Sequence, residues 1–167
     1  MRTFDRRSVI LFAAGALCAA AVVFLVPARP IQAPVAHGND KFSMVTVPTA
    51  PGETETVFVL NHLTGVLRGA FVNNQSKTFT HHFMHNVAAD FQSVVNTTEP
   101  KYAIVSSNAQ LGSMVGLQPA QGVLFIGELT SGAVIAYTYP MPRGRGVPAP
   151  FEVVKLDFFK FAESVGQ

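Results

Sequence analysis

The sequence has one cysteine and no tryptophan, and the cysteine, Cys18, lies in a hydrophobic run near the N-terminus. The rest of the chain therefore offers no pair of thiols for an intramolecular disulfide and no thiolate ligand for zinc. Charged residues are scarce as well, at 13% of the chain, whereas 49% is apolar and fourteen residues are phenylalanine. We therefore expect the fold to be stabilised by burial of apolar side chains.

A basic surface is also missing from most of the chain. The formal net charge is +2, but four arginines flank the N-terminal hydrophobic run: Arg2, Arg6, Arg7 and Arg29. From Phe42 onward, seven lysines and arginines stand against eight aspartates and glutamates. Because proteins that bind nucleic acids usually carry a basic patch that neutralises phosphates, we expect no nucleic-acid partner.

Motifs for catalysis or cofactor binding are lacking too. The sequence contains no phosphate-binding loop, dinucleotide fingerprint, haem-attachment motif or Gly-x-Ser-x-Gly turn, and Ser113 and Ser131 stand in turn-like contexts. Glu128 is the only acid in a clearly apolar strand-like segment, where a salt bridge or a turn hydrogen bond explains it more simply than glycosidase chemistry. We therefore expect no cofactor, and a binding or interaction module rather than an enzyme.

The longest feature present is an unbroken apolar run over residues 8–26, preceded by a short basic segment. As a helix it would extend about 28 Å, close to the thickness of a bilayer core of about 30 Å. This length favours a retained membrane anchor. A cleaved signal peptide is the alternative, although such peptides usually have apolar cores of about 7–15 residues. In both cases the arginines that precede the run stay inside and the rest of the chain is exported.

Three segments follow from this pattern. Residues 1–26 are the anchor or signal peptide, and the Pro- and Ala-rich residues 27–41 form an extended linker. Residues 42–167 are a single exported domain of ordinary size. We therefore predict a membrane-anchored domain outside the cytoplasm, or a secreted one if the leader is cleaved.

The exported domain is predicted to be mainly β, in the α+β class. Apolar runs rich in Val, Phe, Ile and Thr alternate with Gly, Asn and Pro, which is typical of strands and turns. The predicted strands are 42–47, 55–61, 66–73, 77–84, 101–107, 122–129 and 133–139, with a last edge strand or short helix at 151–162. One helix is predicted over 86–95, with Asn86 as its N-cap.

An internal similarity links residues 57–67 and 124–134. Each consists of an apolar strand, a turn ending in Gly65 or Gly132, and a second apolar strand. Such hairpins recur in β-propeller blades, but a closed propeller needs several blades, and this chain has two copies. We therefore predict one twisted antiparallel sheet built from two hairpins, with the short helix packed on it.

Four segments, at 55–67, 86–90, 100–106 and 132–139, resemble a family of uncharacterised small exported proteins of planctomycete-type bacteria. Members of that family have one N-terminal hydrophobic segment. The resemblance covers most of the domain, but its motifs are hairpin and core motifs and none is chemical. It implies export and a β-rich fold, and it supplies no site.

The densest group of possible metal ligands is His81, His82 and His85. On a helix, His81 and His85 would share a face and could bind one zinc or copper ion. On a strand they would stand about 13 Å apart on one face, with His82 on the other. Because the neighbouring residues favour a strand, a solvated or hydrogen-bonded strand end is the preferred interpretation, and metal binding is the alternative.

Aromatic side chains suggest a surface for partners. Tyr102, Tyr137 and Tyr139, together with the phenylalanines of 151–161, exceed what a small sheet easily hides. Either they complete a single core, or some of them form a surface for a protein partner or for self-association. Open sheet edges offer a second route to self-association, by addition of a strand.

Overall fold

The structure, a computed structural model, describes residues 36–95, 97–144 and 149–162. The apolar run at 8–26, predicted as an anchor or signal peptide, lies outside these residues. None of the helices in the described part of the chain has the length and apolar content needed to span a bilayer. The elements are β1 Ala36–Gly38, β2 Phe42–Val47, β3 Thr56–Asn61, β4 Val66–Val72, β5 Phe79–Asn86, α1 Val87–Gln92, β6 Tyr102–Asn108, β7 Gly122–Glu128, β8 Ala133–Thr138, β9 Phe151–Glu152 and β10 Val154–Lys160.

The fold is mainly β, as predicted, but the strands form two sheets and not one. Sheet A has the order β1-β2-β3-β4-β5-β9, and sheet B has the order β10-β8-β7-β6. All pairings are antiparallel except that of β5 with β9. Each predicted hairpin therefore belongs to a different sheet, because β6 pairs with β7 and not with the strands of the first hairpin.

The local predictions agree closely with the structure. The strand predicted at 42–47 is β2, and six others differ by one or two residues at their ends. The segment predicted as one strand or short helix at 151–162 forms two strands, β9 and β10, which belong to different sheets. The helix is shorter than predicted and ends at Gln92, with Asn86 accepting a hydrogen bond from the Ala89 amide. Consecutive β-branched residues, Val94 and Val95, follow the helix and disfavour its continuation. The sheet also begins at Ala36, inside the segment predicted as linker.

A single apolar core fills the space between the two sheets. Its centre is an aromatic group in which Tyr139 contacts Phe58 and Phe83, each with ring centroids 5.1 Å apart and edge to face. The Tyr139 hydroxyl donates a hydrogen bond of 2.9 Å to the Pro48 carbonyl, so its polar end is satisfied inside the core. Strand β2 runs beside β6 where the sheets approach, and Ser106 donates to the Thr46 carbonyl across them.

The two hairpins close with the same turn. Gly65 and Gly132 both have positive φ, at 63° and 72°, and each donates its amide to the residue four positions earlier, Asn61 or Glu128. Each glycine carbonyl then accepts the amides of the two residues that directly follow a strand of the same sheet, β5 in sheet A and β10 in sheet B. These amides belong to Val87 and Ala88 in sheet A, and to Phe161 and Ala162 in sheet B. The internal similarity therefore extends to a repeated four-stranded unit, β2–β5 and then β6, β7, β8 and β10.

Candidate functional site

The three predicted site histidines lie on β5, and the strand sends them in different directions. His81 is buried in the core face, where its Nε2 lies 3.2 Å from the Arg143 carbonyl oxygen and its ring stacks on Phe151. His82 faces the opposite side of the sheet and is exposed. His85 returns to the core face at the end of the strand. This alternation follows from the two-residue period of a strand.

His85 is held by acidic side chains. Its Nε2 lies 2.7 Å from Asp90 Oδ2, and its Nδ1 lies 3.9 Å from Glu152 Oε1. Its ring meets Tyr137 edge to face, with centroids 5.3 Å apart. The Tyr137 hydroxyl is fully buried and has no hydrogen-bond partner among the described residues. Burial, followed by the nearby Asp90 carboxylate, raises the pKa of Tyr137 far above its usual range.

An open groove of about 470 Å³ lies beside His85, and its lining includes Met84 and Glu152. A hydrogen-bonded pair of a histidine and a carboxylate, His85 and Asp90, therefore lies beside the groove. Within the described structure, however, the only hydrogen-bond partner of His85 is Asp90, so no hydroxyl nucleophile is engaged. No three His, Asp or Glu side chains of the described residues are placed to hold a metal ion. Zinc or copper binding by His81, His82 and His85 stays a prediction.

Glu128 is a structural carboxylate at the turn between β7 and β8. It is fully buried and accepts hydrogen bonds from the amides of Lys101, Thr130 and Ser131, at 2.8 to 3.0 Å, and from the hydroxyls of Thr97 and Ser131. Burial alone would raise its pKa, but these donors outweigh burial and lower the pKa to about 2. The turn hydrogen bonds expected from the sequence are therefore present, and the carboxylate is fully engaged in them.

The aromatic residues divide between the core and the surface. Tyr102, Tyr137 and Tyr139 are buried and complete the core. Phe158, Phe159 and Phe161, near the end of β10, are exposed. The tyrosines are therefore unavailable to a partner, whereas these phenylalanines are accessible.

The outward side of sheet B carries an apolar surface, which we call the open face of sheet B. Two neighbouring cross-strand rows form it: Phe159, Val134, Gly127 and Ala103, and beside them Asp157, Ala136, Phe125 and Val105. Exposure reaches 54% at Val105, 36% at Phe125 and 58% at Phe159. Asp157, on the edge strand, is the only charged residue among these eight positions.

The outward side of sheet A carries a similar surface, the open face of sheet A. Its two rows are Met44, Val59, Arg68 and Met84, and Thr46, Val57, Ala70 and His82. Met44 is 48% exposed and Met84 is 45% exposed. Arg68 is central in its row, and Glu152 lies next to Met84 on the edge strand β9. The groove beside His85 opens at this edge.

Sequence reasoning missed both open faces, although the strands contain a signal for one of them. Strand β7 runs through Val123, Leu124, Phe125 and Ile126 without a polar residue. A strand that is apolar at consecutive positions has two apolar faces and is typical of strands buried on both sides. In the described structure Val123 and Gly127 on the outward face are buried, and Phe125 is the exposed residue of this strand. With the exposed Val105 and Phe159 on neighbouring strands, it makes the outward face a candidate binding surface.

The chain was compared with family models, curated proteins and solved structures, and none of them matches it. The resemblance to exported proteins of planctomycete-type bacteria therefore stays a prediction.

Proposed function

We propose that the protein is a membrane-tethered interaction module that works outside the cytoplasm, without enzymatic activity, and binds a protein partner through an open sheet face. The observation that carries this proposal is the apolar composition of the open face of sheet B. Seven of its eight positions are uncharged, and Val105 and Phe159 are more than half exposed. Exposed apolar patches of this kind mark interaction surfaces in soluble domains.

The tether is supported by the N-terminal sequence. The apolar run at 8–26 is long enough to cross a bilayer core of about 30 Å as a helix. Arginines before this run, such as Arg6 and Arg7, favour retention of the N-terminus on the cytoplasmic side. This topology is tested with a reporter enzyme that is active only in the periplasm, fused after Gln167. We expect activity. A second reporter that is active only in the cytosol, if active at the same position, would overturn the topology.

Binding through the open face is tested by photocrosslinking in intact membranes. A photoreactive phenylalanine analogue replaces Phe125 in the full-length protein, and the same analogue at Val115, a fully exposed position in the β6–β7 loop, is the matched control. We expect a discrete higher-mass adduct from position 125 and none from position 115. Adducts that are absent from position 125, or equal at the two positions, would contradict the proposal.

A further inference from the structure

The two sheets are repeats of one unit, yet they do not bury the same side of it. Phe58 in β3 and Phe125 in β7 occupy the same position relative to their turns, Gly65 and Gly132. Phe58 is fully buried between the sheets, whereas Phe125 lies on the open face of sheet B. The same reversal relates Leu67, which is buried, to Val134, which lies outside.

This reversal defines how the sheets stack. Two units related by a two-fold axis would bury equivalent residues, because such an interface uses the same patch on both sides. Here the first unit buries the face that carries Phe58, whereas the second unit buries the face opposite to the equivalent Phe125. The contact is therefore head-to-tail. Blades of a β-propeller stack in this way around a ring, with their first strands innermost. Consistent with that arrangement, the first strands of the two units, β2 and β6, lie beside each other.

A head-to-tail contact between two units leaves one face of each unit uncovered, and these two faces are of opposite kinds. The open face of sheet B has the positions that sheet A uses in the core, among them Phe125 and Val134. The open face of sheet A has the positions that sheet B uses there: Val57 corresponds to the buried Leu124, and Val59 to the buried Ile126. The two open faces therefore occupy the positions that the internal interface uses, although Arg68 stands where sheet B has the buried Ile135 and Gly127 where sheet A has the buried Leu60.

We propose that the occupant of the open face of sheet B is the open face of sheet A of a second copy of this chain, and that repetition of this contact closes a ring. Heterologous contacts of this kind produce rings when the rotation closes. Propellers contain about 4–8 blades, so about two to four copies of this two-bladed chain complete one. This inference rests on the proposed interaction function, and it names the partner.

The charged residues within the two faces have opposite signs. The open face of sheet B contains one charge, the negative Asp157 at the edge, and the open face of sheet A contains the positive Arg68 near its centre. Glu152 stands beyond Met84 at the margin of sheet A. The contact therefore does not bring like charges together at its centre, which would oppose association.

The test measures the molar mass of the full-length protein in detergent by light scattering coupled to size exclusion. Each face is blocked separately, with Phe125→Lys on sheet B and Met44→Lys on sheet A, and Val115→Lys is the matched control. We expect two to four chains for the wild type and the control, and one chain for each blocked variant. An equimolar mixture of the two blocked variants should form a complex of two chains, because each retains the face that the other lacks.

Three results would overturn the ring. They are a single-chain wild type, blocked variants that keep the wild-type mass, and a mixture that stays single-chain. Val105→Lys repeats the sheet B test should Phe125→Lys lose its circular dichroism spectrum. The outcome is separable from the proposed function: a photoadduct at position 125 that contains another protein, with a single-chain mass in detergent, sustains the function and overturns the ring.

Discussion

The two halves of the domain share a hairpin and a turn, but they differ in what holds the turn and in which side of the sheet is covered. At the first turn, the half-buried side chain of Asn61 accepts hydrogen bonds from the amides of Leu63 and Thr64. At the second, the buried carboxylate of Glu128 occupies the equivalent position and accepts hydrogen bonds from two segments, its own turn and the connection between α1 and β6. We therefore expect side chains at equivalent positions to contribute unequally to the free energy of unfolding, depending on how deeply each is buried.

The largest expected difference is between Phe58 and Phe125. Phe58→Ala removes a fully buried ring that contacts Phe83 and Tyr139, so it should lower the free energy of unfolding by about 3–5 kcal/mol. Phe125→Ala should cost less than about 1 kcal/mol within a single chain, because the ring is already partly in water. Denaturant titration followed by tyrosine fluorescence measures both in the Met44→Lys background, which we expect to prevent association between chains. Equal losses would mean that the open face is covered within the chain.

The second difference is between the two residues that hold the turns. Glu128→Ala leaves the amides of Lys101, Thr130 and Ser131 without an acceptor and should cost about 2–4 kcal/mol. Asn61→Ala exposes two amides to water and should cost about 1 kcal/mol. The same denaturant titration compares them. A loss at Asn61 that equals the loss at Glu128 would show that burial does not distinguish the turns.

Alanine at the turn glycines should be costly in both halves, at about 1–3 kcal/mol. At Gly65 an added Cβ would lie 2.4 Å from the Cβ of Ala88 and 2.9 Å from its amide nitrogen, and the backbone has a positive φ. At Gly132 the added atom meets Ala162 in the same way. Gly52→Ala is the control for strain alone, because its φ is 79° but nothing lies within 4 Å of the added atom. A cost at Gly65 no larger than at Gly52 would deny the close approach.

The smallest expected difference appears on acidification. The pKa of Glu128 is about 2 in the folded protein, below its ordinary value of 4.5, so its contribution to stability is present above pH 4.5 and is lost as the pH falls toward 2. The loss between pH 5 and pH 3.5 should be about 1 kcal/mol. Subtracting the pH profile of Glu128→Gln isolates this contribution from those of other carboxylates. Parallel profiles for the wild type and the variant would refute the assignment.

Local structure was predictable because the signals for it are local. The apolar runs, the glycines at positive φ and the Asn86 cap each act within a few residues, and they placed β2, both hairpins and the start of α1. The division into two sheets was not predictable in the same way. It depends on β6 and β10 both joining the second hairpin, from opposite sides. Such long-range pairings leave no periodic trace in the strands themselves.

The candidate surfaces were predictable only in outline. The sequence indicated too many aromatic residues for a small sheet, but it could not assign Tyr137 to the core and Phe159 to the surface. Their strands are neighbours in sheet B, and the side that Phe159 faces depends on the register of β10 with β8, which a bulge between Lys155 and Asp157 shifts. A shift of one residue moves a side chain to the other face of the sheet.

By itself, the sequence determined that this chain forms strands joined by glycine turns, contains a hairpin twice, and has few charged residues. Only the tertiary structure decided that one copy buries the side of the hairpin that the other copy exposes. The physical reason is that a strand with two apolar faces is equally able to bury either one. The choice is therefore made by the sheet that packs against it, and in this molecule one such face lacks a neighbouring sheet among the described residues.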